Sequence, residues 1–233
     1  MRTWLNYDAV KVDGPKKKIL EFNSELNILD AKELKTFELL CSTLSDKGNF
    51  YKTKIDDNQS KLLDRLFSFP IDKIFPCLDL YRIFLVHPDS VLHYKKYEEG
   101  WTHINSLLGV LTEKEAGDPA KMLSLRCLTN LFKDSSAMHV LREKRWKIIN
   151  IISAHLQNPK SNVREAAITT ILNYSISFLL KDDPEGKTQC LTALGVVSQE
   201  QDNQCKMRMQ AAVTNLTFKN QAGKDLAKQT GLM

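Results

Sequence analysis

An asparagine is set into apolar helical sequence at nearly constant intervals: LRCLTNLF around Asn130, ILNYS around Asn173 and VTNLTF around Asn215, spaced 43 and 42 residues apart. A polar amide returning at such an interval marks a chain built from stacked supersecondary units, and roughly 40 to 47 residues is the length of a helical repeat of the HEAT or armadillo kind. The period restricts the fold class before any element is placed. It predicts an all-α, armadillo-like helical solenoid with repeats of 42–43 residues. Because stacked repeats share one continuous core, a single repeat domain is expected over residues 15–233, with residues 1–14 as an N-terminal extension packing on it.

Helix-stop and helix-start signals fall where such units need them. Gly14-Pro15 opens KKKILEFNSELN, and Asp30 is the expected N-cap of AKELKTFELLCSTL, whose Leu34, Phe37, Leu40, Cys41 and Leu44 form one apolar stripe. Asp57 or Asn58 is expected to cap NQSKLLDRLFSF, which Pro70 ends. Pro76 suits the first turn of CLDLYRIFLV, where its missing N–H has no partner to lose, and Pro88 stops that helix. Asp118-Pro119 repeats the cap-plus-proline signature before AKMLSLRCLTNLF, and Ser135-Ser136 restart the chain into a long helical region ending near His155. NVREAAITTILNYSISFLL, GKTQCLTALGVVSQ, QCKMRMQAAVTNLTF and a partial GKDLAKQTG complete the helices. ILNYSISFLL alternates somewhat like a strand, but its length and flanks favour a helix. A terminal repeat needs a polar cap over its last apolar face, and TGLM supplies none, so the last repeat is either incomplete or finished by residues further on.

Lys and Arg number 33 against 28 Asp and Glu, a mild excess that favours an acidic partner without the dense basic runs of nucleic-acid binders. The runs KKK at 16–18 and REKRWK at 142–147 read as solvated faces, and along the chain aromatic residues do not alternate with basic ones as a base-stacking platform requires. The five cysteines are odd in number, lie in apolar segments and form no CxxC pair. They read as reduced, buried thiols of a cytoplasmic and nuclear protein. The start MRTWLNYDAV lacks the apolar core of a signal peptide, and Asp79 and Arg82 interrupt the longest apolar stretch, so no membrane partner is expected. No GxxxxGK[ST], GxGxxG, HExxH or GxSxG occurs, and His87, His93, His103, His139 and His155 are scattered. A non-enzymatic chain without cofactor or metal is expected.

Residues four and seven positions before a helical residue share its face. Arg126 lies four before Asn130, and Arg208 seven before Asn215. Arg126, Asn130, Arg208 and Asn215 thereby present adjacent donors suited to carboxylates or peptide backbone, although each asparagine alone could equally bridge helices or bond a neighbouring loop. Arg126 stands among Met122, Leu123, Leu125, Cys127 and Leu128, so its guanidinium must face solvent, a groove or a buried acid. Arg82, in DLYRIFL, raises the same question, with Asp79 one turn earlier as the available partner.

Taken in order, ELLCSTLS, DKIFPCLDLYRIFLVHP, LSLRCLTNLF, ILNYSISF with EGKTQCL, and RMQAAVTNL resemble the PUL domain of the phospholipase A-two-activating protein family, from about Leu5 to Leu232. The resemblance implies an armadillo-like superhelix that binds the acidic C-terminal tail of the AAA ATPase valosin-containing protein in ubiquitin-dependent protein degradation. In the family, arginines of a basic concave ridge make that contact. They fall on Arg82 and Arg208 here, and Arg126 matches an arginine of the family's middle repeat. The family's propeller and ubiquitin-binding modules are absent, so ubiquitin-pathway machinery would be reached through other domains of a parent protein, and a monomer is expected. A nuclear-import adaptor would place tryptophan four positions before each asparagine, where Arg126, Thr169 and Ala211 stand. The alternatives that stay open are a solenoid for another acidic peptide and, less favoured, one for nucleic acid.

Overall fold

The computed structural model describes residues 3–233, and every regular element among them is helical, in keeping with a helical solenoid. The chain forms two compact units, Tyr7–Ala137 and Met138–Met233, the second including the N-terminal stretch to Asn6.

The first unit holds α1 (Asp13–Leu26), α2 (Ala31–Ser45), α3 (Asp57–Leu66), α4 (Phe75–Phe84), α5 (Tyr97–Thr112) and α6 (Asp118–Asn130). Asp30 caps α2 as expected: its Oδ1 accepts from the N–H groups of Lys32 and Glu33 at 2.7 and 2.8 Å, and Glu33 reaches back to the Asp30 N–H at 2.9 Å. The cap of α3 is Asp56, one residue before the expected pair, because Gln59 three positions on accepts from the Asp56 N–H at 2.9 Å. Three after Asp57 or Asn58 stand Ser60 and Lys61, and neither is the Glu or Gln that completes a capping box. Gly117, not Asp118, precedes α6; Asp118 sits in the first turn, where its charge meets the positive end of the helix.

Helix α5 falls where the sequence reading places none, between Pro88 and Asp118. Gly100 and Gly109 each weaken a helix by roughly 0.5–1 kcal/mol relative to alanine. Burial of Ile104, Leu107, Leu108 and Leu111, a stripe at helical spacing, outweighs that loss. In this unit α6 packs on both α4 and α5, and α1 on α4.

Helix α7 (Ser135–Glu143) crosses the boundary between the units, and α8 (Arg145–Ser153), α9 (Ser161–Leu180), α10 (Pro184–Gly195), α11 (Asn203–Thr217) and α12 (Gln221–Gln229) belong to the second. The long helical region expected from Ser135 to near His155 consists of two helices, α7 and α8, separated at Lys144. On either side of the break Arg142 donates to the Ser177 and Lys181 carbonyls at 2.7 and 2.8 Å, while Arg145 pairs with Asp183 at 2.8 Å. These arginines serve different targets, the C-terminal end of α9 and the N-cap of α10. The expectation that REKRWK is a solvated face is therefore corrected for its two arginines.

Helix α9 is buried without interruption from Ala166 to Phe178, since α8, α10 and α11 all contact it. All-round burial explains the strand-like alternation in ILNYSISFLL, because no face of this helix has to be polar. All five cysteines are buried and unpaired. Burial pushes the Cys41 and Cys205 thiols up to about 12 and those of Cys77, Cys127 and Cys190 further still, so none is a thiolate at neutral pH. No helix among the described residues is long and apolar enough to cross a membrane.

Gly186, in the EGKTQCL block, lies in the first turn of α10 directly over the buried ring of Phe178. A Cβ there would stand 2.5 Å from Phe178 Cζ. Gly186→Ala should lower unfolding free energy in urea by about 1–3 kcal/mol, despite alanine's better helix propensity. Unchanged or raised stability would contradict this packing.

Candidate functional site

Within the first unit, the non-helical N-terminal segment meets α4 and α6 at Tyr7. Asn130, at the end of α6 and 2% exposed, accepts from the Tyr7 N–H through Oδ1 at 2.8 Å. Its Nδ2 donates to the carbonyls of Tyr7 at 3.2 Å and Arg82 at 3.3 Å. Arg82, from α4, donates through Nη1 to the Tyr7 and Ala9 carbonyls at 2.7 and 2.9 Å. Its Nε and Nη2 both reach Asp79 Oδ1, at 2.8 and 2.7 Å, which is the pairing one turn apart anticipated above. The Arg126 guanidinium lies 4.6 Å from the centroid of the Tyr7 ring. The partly exposed Arg126 thus packs on an aromatic surface, and its buried Nε has no hydrogen-bond partner among the described residues. Lys47 holds Asp8 through its carboxylate at 2.9 Å and its carbonyl at 3.0 Å, a contact that lowers the Asp8 pKa.

In the second unit Asn173, fully buried on α9, treats Leu5 as Asn130 treats Tyr7. Its Oδ1 accepts from the Leu5 N–H at 3.1 Å and its Nδ2 donates to the Leu5 carbonyl at 2.9 Å. Arg208, on α11, pairs with Glu165 at 2.8 Å through Nη1, which also donates to Thr169 Oγ1. Asn215, two turns further along α11, donates to Ser175 Oγ at 3.0 Å. The contacts proceed in the same order along both helices, so α9 and α11 lie parallel.

Of the residues singled out in the sequence, Arg82, Arg126 and Asn130 thus meet at one residue, Tyr7. Arg208 and Asn215 face α9 in the other unit, where Asn215 does the helix-bridging that an asparagine alone could do. The arginine rule passed over Asn173, because Thr169 and Ala166 stand four and seven before it. The signal for Asn173 was the spacing itself, and its neighbouring arginine comes from α11 instead of from its own helix. Leu5 and Tyr7 carried no motif at all.

Such a site holds main chain. An amide that accepts from a residue's N–H and donates to its carbonyl recognises backbone whatever the side chain, and a guanidinium over a ring adds selectivity for an aromatic group. Asn130→Ala leaves the Tyr7 N–H without its acceptor and should cost about 1–3 kcal/mol of stability. Hydrogen exchange at the Tyr7 amide should quicken by roughly 10- to 100-fold, and at the Leu5 amide in Asn173→Ala likewise. Exchange as slow as in the wild type would show that the amides do not hold the segment.

A family model described as PUL domain matches residues 1–232. Phospholipase A-2-activating protein of Xenopus laevis is 30% identical over 176 residues, which cover 75% of this chain and 22% of that protein. The ubiquitin fusion degradation protein 3 homolog of Caenorhabditis elegans is 22% identical over 116 residues, 49% of this chain and 14% of that relative. The chain thus spans less than a quarter of the length of these curated relatives.

Proposed function

Because the chain belongs to the PUL-domain family, we propose that it is a non-enzymatic interaction domain which serves ubiquitin-dependent protein degradation by binding the acidic C-terminal tail of the AAA ATPase valosin-containing protein. The observation that carries the peptide-binding part is the pairing of Asn130 and Asn173 with both backbone groups of Tyr7 and Leu5. Side chains on these helices hold an irregular segment by its main chain, which is the chemistry that peptide recognition requires. The ubiquitin link rests on the name of the nematode relative, and the choice of partner rests on the family resemblance.

The arginines divide by what they already touch. Arg208 is half-buried and already pairs with the carboxylate of Glu165, so a tail carboxylate can replace Glu165 in a charge-assisted, two-pronged contact. Asn215, on the same helix, offers its amide to the incoming main chain once it leaves Ser175. Arg82 acts differently: its donors are spent on Asp79, Tyr7 and Ala9, so it orders the N-terminal segment. Arg126 and Asn130 keep Tyr7 in place, and the Tyr7 surface then presents itself to the partner.

Calorimetric titration with a synthetic peptide of the tail, beside a scrambled peptide of equal charge, separates these roles. Arg208→Gln should weaken binding at least ~10-fold, about 1.4 kcal/mol, while losing less melting temperature than Arg82→Ala, because the Glu165 it leaves is partly exposed. Glu165→Gln, which removes the competing carboxylate, should tighten it. Arg82→Ala should lower affinity and melting temperature together, since it strips Asp79 and two carbonyls of their donor. If the wild-type chain binds the tail no better than the scrambled peptide, the assignment of this partner fails.

A further inference from the structure

Three elements of the first unit also converge on a group of titratable side chains that the peptide site does not use. Asp64 comes from α3, His103 from α5, and His93 from the 3-10 turn Pro88–Tyr94. One nitrogen or oxygen atom of each lies within 4.8 Å of the others. His103 Nδ1 is 3.3 Å from Asp64 Oδ1, the two imidazole rings have centroids 5.1 Å apart, and Ser60 Oγ stands 2.5 Å from His93 Nε2.

We propose that Asp64, His93 and His103 form a binding site for one divalent first-row transition cation of the zinc type, which clips α3, the 3-10 turn and α5 together. Two imidazoles and a carboxylate are the donor set such cations take, with a water filling the fourth position. At metal–ligand bonds of about 2.0 Å, tetrahedral ligand atoms stand roughly 3.3 Å apart. The His103–Asp64 pair already meets that distance. No separation exceeds 4.8 Å, so each closes by at most about 1.5 Å, through rotation of Asp64, whose side chain is 52% exposed, and of the His103 ring.

The surroundings suit a cation and not an anion. Glu99 lies one turn before His103 on the same face of α5 and acts electrostatically on Asp64, His93 and His103 alike. Two carboxylates thus flank two imidazoles, and the Lys96 ammonium is paired with Glu99 at 2.7 Å. Burial disfavours the charged form of both rings. His93 is 8% exposed and wedged between Phe84 and His103, with ring centroids 4.9 and 5.1 Å away, which fixes its plane in advance. The exposed side of Asp64 is the route of entry.

The chain, stripped with a chelator, is titrated with cobalt(II) and zinc(II). One equivalent of cobalt should bind with the visible absorption of a nitrogen- and oxygen-ligated ion. A hundredfold excess of zinc over its Kd should raise the melting temperature by roughly 5–10 °C. His103→Gln and Asp64→Asn should each lose at least ~10-fold in affinity, while His139→Gln, a change on α7, should lose none. Asp64→Asn alters a surface side chain and decides the matter if His103→Gln melts early without metal. The site is refuted by wild-type uptake that both variants retain in full, by an intense near-ultraviolet band from thiolate ligands, or by no zinc-dependent shift at ~1 mM.

Discussion

A buried side-chain amide has to satisfy a donor and an acceptor at once, and the backbone of one residue is a partner that offers both. Asn130 and Asn173 are enclosed at 2% and 0% exposure, and each solves the problem with a residue near the N-terminus. An unpaired amide at either place would cost about 1–3 kcal/mol, a sizeable part of the margin by which a domain of this size is stable. The segment through Leu5 and Tyr7 is therefore built into the helical packing by polar bonds. Its position follows from the needs of the helices more than from its own sequence.

The arginines obey a similar accounting. Arg142 and Arg145 finish the end of α9 and the start of α10, and Arg164 grips Glu200 with two parallel bonds of 2.7 and 3.0 Å. Arg82 bridges a carboxylate and two carbonyls, and Arg208 a carboxylate and a hydroxyl. A planar fork with five donors can join more of the acceptors that helix packing leaves close together, and in a more fixed geometry, than the three donors of a lysine. A partner that wants one of these guanidiniums must outcompete an acceptor already in place. That requirement favours a carboxylate with matching geometry over diffuse negative charge.

A third feature has the opposite character. Around His93 and His103 the ligand atoms of two imidazoles and a carboxylate are gathered within 4.8 Å, with the half-exposed carboxylate at the rim. Polar clusters that satisfy themselves, as at Tyr7, read as structure. One that leaves ligand atoms converging without closing reads as a place for something else.

The sequence by itself determined the all-helical class, through the recurring asparagines and the apolar stripes between proline and cap signals. It also placed Asp30 at its helix start and the cysteines in the core, because these depend on neighbours within a turn or on hydrophobicity alone. It anticipated Asp79 as the partner of Arg82 for the same local reason. Only the tertiary structure decided what the asparagines hold. Tyr7 is 123 residues from Asn130, and Leu5 is 168 from Asn173, and no periodicity within a helix encodes such a pairing. The same holds for the break at Lys144, set by acceptors on α9 and α10, and for the meeting of Asp64, His93 and His103. Local spacing specifies which face a side chain occupies; what stands opposite that face is a property of the packed chain.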